Sequence, residues 1–145
     1  MQLKDILRNK GSKVWMIQED QTIHEALQIL VKQKIGALLV VDDADKIAGI
    51  ISERDIMRGC YANSKELDAM PVNKLMTKNV ILGRPEDEIR QVMETMTKNR
   101  VRHIPVVADG KLEGIVSIGD VVKALLEYSE YEIKRLKEYM YGPGI

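Results

Sequence analysis

Two short stretches carry the residue types best suited to hold a polar small molecule. They are Gly49-Ile50-Ile51-Ser52-Glu53-Arg54-Asp55 and Gly114-Ile115-Val116-Ser117-Ile118-Gly119-Asp120. Each reads as Gly, two β-branched residues, Ser, two variable residues and Asp, and each runs into an amphipathic pattern. A strand ending in Ser and a helix opening at Asp place a hydroxyl, unpaired backbone N–H groups and a carboxylate at one junction. Helix N-termini carry positive potential and spare donors, which suits phosphate. A carboxylate there can accept both hydroxyls of a ribose diol. The plain alternative is that Asp55 and Asp120 only cap their helices. Recurrence with the preceding Ser at equivalent places favours binding.

The two motifs belong to a longer internal repeat. Ile23 matches Ile89 (89 − 23 = 66), and Lys32 with Lys98 and Val40-Val41 with Val106-Val107 keep that offset. After a polar turn the offset is 65 (114 − 49), because Asp42–Lys46 is one residue longer than Ala108–Lys111. Turns absorb insertions and paired strands do not, so the slip fits two copies of one fold.

Other chemistries have little material. His24 and His103 occupy unrelated repeat positions, and Cys60 has no histidine nearby in sequence. No HExxH, Walker or GxGxxG pattern occurs, nor a zinc-spaced Cys/His cluster, so the chain is read as a non-enzyme. His24 falls on the polar side of its helix, and Cys60 is expected as a small buried apolar residue. With 22 basic and 22 acidic residues the net charge is zero, which argues against nucleic acid and an anionic membrane. No apolar run approaches the ~20 residues that span a bilayer. The N-terminus lacks a signal-peptide core, and one cysteine excludes an internal disulfide and fits a reducing cytosol, so the expected location is cytoplasmic.

The elements that must position the motifs follow from periodicity. Leu3, Ile6 and Leu7 mark a short helix, and Val72, Leu75 and Met76 repeat that spacing before the second unit. Val14–Ile17 reads as a strand. Thr22 and Glu25 form a capping-box pattern ahead of a helix with Ile23, Ala26, Leu27, Leu30 and Val31 on one face. Ala37–Val41 is a strand buried on both faces, and Ile47–Ser52 its return. A helix then runs from Arg54 or Asp55 to about Tyr61. The second copy gives Val80–Leu82 as strand, Pro85–Glu88 as helix start, and Val101–Val107 and Leu112–Ser117 as paired strands. The last helix is expected from about Asp120 to Tyr141, stopping before Gly142-Pro143-Gly144. Its 22 residues rise ~33 Å, more than a small repeat covers. Val121, Leu125, Tyr128, Glu132, Leu136 and Tyr139 trace one stripe along it, and Val122, Leu126, Ser129, Ile133, Leu136 and Met140 another, so part is expected to pack on another subunit or stand in solvent. The division is 1–61 for the first repeat, 62–71 for a linker, 72–127 for the second repeat and 128–145 for a helical extension and tail.

The paired Gly-Ile-Ile/Val-Ser-x-x-Asp motifs, each after a β-α-β unit of this length, resemble the cystathionine-β-synthase (CBS) domain. Two in tandem resemble a Bateman module, here from Leu3 to about Leu126. The resemblance implies an α/β (α+β) fold of two β-α-β-β-α repeats packed sheet to sheet about a pseudo-twofold axis, with the long C-terminal helix in addition. It implies clefts for an adenosyl ligand: AMP, ADP, ATP, S-adenosylmethionine or NAD. By that resemblance Asp55 and Asp120 hold ribose hydroxyls, Ser52 and Ser117 sit near ribose or phosphate, and Arg54 and Gly119 face the phosphate side. Ile35, Gly36 and Ala37 in one copy, and Val101, Arg102, His103 and Pro105 in the other, surround base and phosphates. The clefts are expected to be unequal, one strand segment being basic and the other small and neutral. Family modules pair, often as disc-like dimers. The implied function is a regulatory sensor that reports an adenine nucleotide through its homodimer to a partner protein. The second reading is an interaction scaffold whose clefts stay empty.

Overall fold

The computed structural model describes residues 1–144. They form α1 (Leu3–Lys10), β1 (Met16–Gln18), α2 (Ile23–Gln33), β2 (Ala37–Val41), β3 (Ile47–Ser52) and α3 (Glu53–Ala62). A single 3-10 turn (Val72–Lys74) is followed by α4 (Ile89–Asn99), β4 (His103–Ala108), β5 (Lys111–Ser117) and α5 (Ile118–Tyr141). Among the described residues the fold is mixed α+β, with five α-helices and two small sheets.

Two compact units divide the chain, and they cut across the repeat. One is continuous, Lys13–Ile81; the other is split, joining Met1–Ser12 to Leu82–Ile145. The segment preceding each repeat in sequence therefore packs with the other repeat. The bonds that hold it correspond one for one. In the split unit the Leu3 amide donates to the Asp87 carbonyl (3.0 Å), Lys4 to Pro85 (2.9 Å), and Ile89 to the Met1 carbonyl (3.0 Å). In the continuous unit Val72 donates to Gln21 (2.7 Å), Asn73 to Glu19 (3.0 Å), and Ile23 to Met70 (2.8 Å). The apolar triplets Leu3/Ile6/Leu7 and Val72/Leu75/Met76 are what make both segments dock, and Leu3 and Val72 are fully buried.

In the continuous unit β1 pairs parallel to β2, and β2 antiparallel to β3. All five residues of β2 are buried, as its unbroken apolar run requires. Its core gathers Ile17, Ile23, Leu30, Leu38, Val40 and Ile51. In the split unit β4 and β5 form an antiparallel pair, and the buried apolar residues there include Leu3, Ile89, Met96, Ile104, Val116 and Val121. Both pairs carry a bulge at the same place: after Val40↔Gly49 the register skips Ala48, and after Val106↔Gly114 it skips Glu113. The motif glycine thus sits where the ladder kinks and another segment approaches.

Several expectations change. The strand expected at Val80–Leu82 is reduced to one parallel bridge, Gly83↔Val106. Pro85, two residues on, has no N–H to continue a ladder. The helix expected from Pro85 starts at Ile89, with Glu88 at the cap position and no side-chain cap; the Asp87 carboxylate instead closes the preceding turn on the Arg84 amide (2.8 Å). Val31 leaves the apolar face of α2 and is 75% exposed. Cys60 is exposed rather than buried. Ile56 and Gly59 supply the inward line of α3, and Cys60, ~100° further round, falls outside it.

Candidate functional site

Each motif builds a junction in which strand end and helix start are tied by the same bonds. Ser52 closes β3 in extended conformation and caps α3, its hydroxyl accepting from the Asp55 amide (3.3 Å). The Asp55 carboxylate reaches back through Oδ2 to accept from the Ser52 amide (2.9 Å). Ser117 and Asp120 repeat both bonds, at 3.2 and 2.9 Å, at the start of α5. These are capping boxes with Asp in the third helical position. One more bond pins each junction to the neighbouring strand: the Glu53 amide donates to the Gly36 carbonyl (3.0 Å), and Ile118 to the Arg102 carbonyl (2.8 Å).

Capping and binding are therefore compatible. The cap commits Oδ2 and fixes the rotamer, so Oδ1 is presented in a set direction as a further acceptor. At Asp55 the Thr77 hydroxyl donates to Oδ1 at 3.4 Å, and Arg54 beside it is exposed.

The second junction differs in charge. Lys10, the last residue of α1, places Nζ 2.6 Å from Asp120 Oδ2 and 2.9 Å from the Ile115 carbonyl oxygen. Burial opposes charge on Asp120, but the Lys10 ammonium and the Ser117 bonds outweigh it and hold the carboxyl below its usual value.

Surface relief brings some expected residues together and leaves others apart. Ile35 and Gly36 line a groove of about 540 Å³ with Leu27, Leu30, Lys34 and Glu53; Ser52, Arg54 and Asp55 are not in its walls. Ala37 is buried in β2. In the split unit Arg102 and Gly119 share a groove of about 770 Å³ with Val122, Lys123 and Leu126. Asp120 opens into another, of about 340 Å³, with Lys10, Asn9 and Lys123. Val101 is half-buried and its amide closes the end of α4 on the Met96 carbonyl (3.0 Å). Half-buried His103 lies across from Ser117 in the ladder, while Pro105 is buried opposite Ile115.

The residues that sequence reasoning missed are Lys10, Thr77 and Lys123. Lys10 and Thr77 reach the motifs only because the segments preceding each repeat are exchanged. Lys123 carried a weaker signal, one turn after Asp120 on the same helix.

The model of the CBS domain matches residues 3–61 and again 72–127. The chain belongs to the CBS-domain family. The CBS domain-containing protein CBSX3, mitochondrial, of Arabidopsis thaliana is 35% identical over 149 residues, 97% of this chain and 72% of that protein. A CBS-domain containing protein from Agrobacterium tumefaciens superposes with a TM-score of 0.84 at 40% identity, over 86% of this chain and 99% of its own. Two similar structures hold ligands. The CBS domain pair of MJ0100, in complex with 5′-methylthioadenosine and S-adenosyl-L-methionine, has a TM-score of 0.75 at 28% identity, over 88% and 98% of the two chains. CBSX2, in complex with AMP, has a TM-score of 0.70 at 27%, over the same shares. Among the described residues no helix is long and apolar enough to cross a membrane. No group of three or more His, Cys, Asp or Glu there is placed to hold a metal ion.

Proposed function

We propose that this CBS pair is a cytoplasmic regulatory module that binds an adenosyl ligand and passes ligand state through a homodimer to a partner protein. The observation that carries the reading is the duplicated capping box. Ser52/Asp55 and Ser117/Asp120 each present a carboxylate of fixed rotamer at the positive end of a helix, geometry suited to a ribose diol beside a phosphate. AMP in one similar structure and S-adenosylmethionine with methylthioadenosine in another support the ligand class.

The two junctions are unequal in this reading. Asp55 Oδ2 is held by Ser52, but Oδ1 meets the neutral Thr77 hydroxyl at a long 3.4 Å, and exposed Arg54 supplies a cation for phosphate. Asp120 already holds Lys10, so a diol there must displace or share that ammonium. The junction at Asp55 fills first. The ligand set is AMP, ADP, ATP, S-adenosylmethionine and NAD, with Ile35, Gly36 and Ala37 as the strand segment of the first repeat and Val101, Arg102, His103 and Pro105 as that of the second. The module works by binding, with no catalytic step.

Thermal unfolding with each of the five ligands tests this, on wild type, Asp55→Ala and Asp120→Ala freed of co-purified nucleotide. A ligand at ~100 times its dissociation constant stabilises the fold by ~2.7 kcal/mol, a rise of several degrees. The expected result is a shift in wild type that Asp55→Ala abolishes. No shift with any of the five overturns the sensor reading and leaves a scaffold.

A further inference from the structure

The C-terminal half of α5 has apolar surface that its own unit does not use. Val121 and Ala124 point into the core and are buried, whereas Leu126, Ile133, Leu136 and Met140 are 61, 54, 59 and 61% exposed. With Val122 and Ser129 they are spaced by 4, 3, 4, 3 and 4 residues, which is a heptad seam. Leu126, Ile133 and Met140 fall at a positions; Val122, Ser129 and Leu136 fall at d positions. The seam runs ~27 Å at 1.5 Å per residue, and most of it lies beyond residue 127, where the CBS match ends.

The flanking charges select the occupant and its direction. Lys123, Glu130 and Lys137 are at e, and Leu125, Glu132 and Tyr139 at g. In a parallel, in-register pair each g residue faces the e residue five places on in the other helix. Glu132 then meets Lys137 of the partner subunit, and twofold symmetry gives the contact twice with no like-charge pair. An antiparallel pair overlapping the whole seam sets Leu126 against Leu136. It brings e against e and g against g, so Glu130 meets Glu130, Glu132 meets Glu132 and Lys123 meets Lys137. Sliding the antiparallel pair to escape those contacts withdraws Val122 and Leu126 from the seam. A helix whose g and e charges complement their own copies is a self-complementary surface. The first turns are already fixed by the folded unit, so the costly helix nucleus is in place.

We propose that residues 122–140 of α5 pair with the same segment of a second copy as a parallel, in-register two-stranded coil. It rests on the homodimer of the proposed function and specifies its interface.

The experiment uses the full chain in a Cys60→Ser background. Leu136→Cys should form an intersubunit disulfide under mild oxidation, because identical d positions face each other. Tyr131→Cys, on the far side of the helix, should not. A mixture of Leu126→Cys and Leu136→Cys should give no mixed disulfide. Sedimentation should show Glu132→Lys weakening the dimer by about tenfold, and Glu132→Lys with Lys137→Glu restoring it, because repulsion becomes attraction again. A dimer without the 136–136 cross-link overturns the coil and leaves the dimer standing. A 126–136 disulfide overturns the parallel direction. A monomer overturns the coil together with the dimer of the proposed function, and the ligand shifts then judge the binding reading separately.

Discussion

Replacing the two motif glycines by alanine separates a backbone collision from a side-chain one. A Cβ built on Gly49 lies 2.7 Å from the Thr77 carbonyl oxygen, 2.7 Å from Met76 Sδ and 3.0 Å from Met76 Cγ. The carbonyl cannot swing aside, since Thr77 is bonded to Ile50 in both directions, at 3.0 and 2.8 Å. Relieving the contact means moving Thr77 by several tenths of an ångström, which lengthens both bonds and draws its hydroxyl from Asp55. A Cβ on Gly114 meets Leu7 Cδ2 at 2.6 Å and nothing else closer than 3.4 Å, and a leucine tip can turn. Overpacking costs about 1–3 kcal/mol, and each weakened bond adds up to about 1 kcal/mol. Loss of glycine's freedom in the unfolded chain returns about 0.4–1 kcal/mol. Gly49→Ala should therefore lose about 2–3 kcal/mol, and Gly114→Ala about 1 kcal/mol or less. At about 3 °C per kcal/mol for a chain of this size, the melting temperatures should fall by about 6–9 °C and at most about 3 °C. Calorimetry at neutral pH without nucleotide reads both. Gly49→Ala melting within 2 °C of wild type, or above Gly114→Ala, would refute the close approach of Thr77.

The remaining predictions concern the junctions. Asp120 has a lowered pKa in the fold, so its contribution to stability is present above the ordinary carboxylate range. That contribution is lost as pH falls through the folded pKa. Lys10→Met should lower the melting temperature at pH 7, by no more than the ~0.2–1 kcal/mol of an exposed pair. The gap to wild type should close as pH falls through the folded pKa of Asp120, below the ordinary carboxylate range; a gap independent of pH would show that Lys10 acts through packing alone. Ser52→Ala removes the α3 cap and should cost about 1 kcal/mol, or ~3 °C, in unfolding by circular dichroism. Unchanged stability there would mean that the Asp55 carboxylate on the residue 52 amide and the Gly36 carbonyl on the Glu53 amide hold the helix start without the hydroxyl.

Local pattern determined much of this protein. The capping boxes were legible because Ser and Asp three residues apart satisfy each other's backbone within one turn, whatever lies beyond. The turn insertion was legible in the change of offset, and the reach of α5 in its unbroken periodicity ending at Gly142. The buried β2 strand was legible in Ala37–Val41, where no polar residue gives the ladder a wet face. Membership of the CBS family was legible for the same reason, since its motif is a local one repeated. Tertiary structure decided which surfaces meet. Leu3, Ile6 and Leu7 specify an amphipathic helix but carry no address, and the choice of β5 as its seat brings Lys10 to Asp120 across 110 residues. The seat of Val72 and Met76 likewise brings Thr77 to Asp55. Cys60 and Val31 sit at the margins of their apolar stripes, where only the packed neighbour decides which way the boundary falls. Periodicity fixes the face of a helix to within a residue or so; contact between distant segments fixes what that face touches, and with it the charge at each junction.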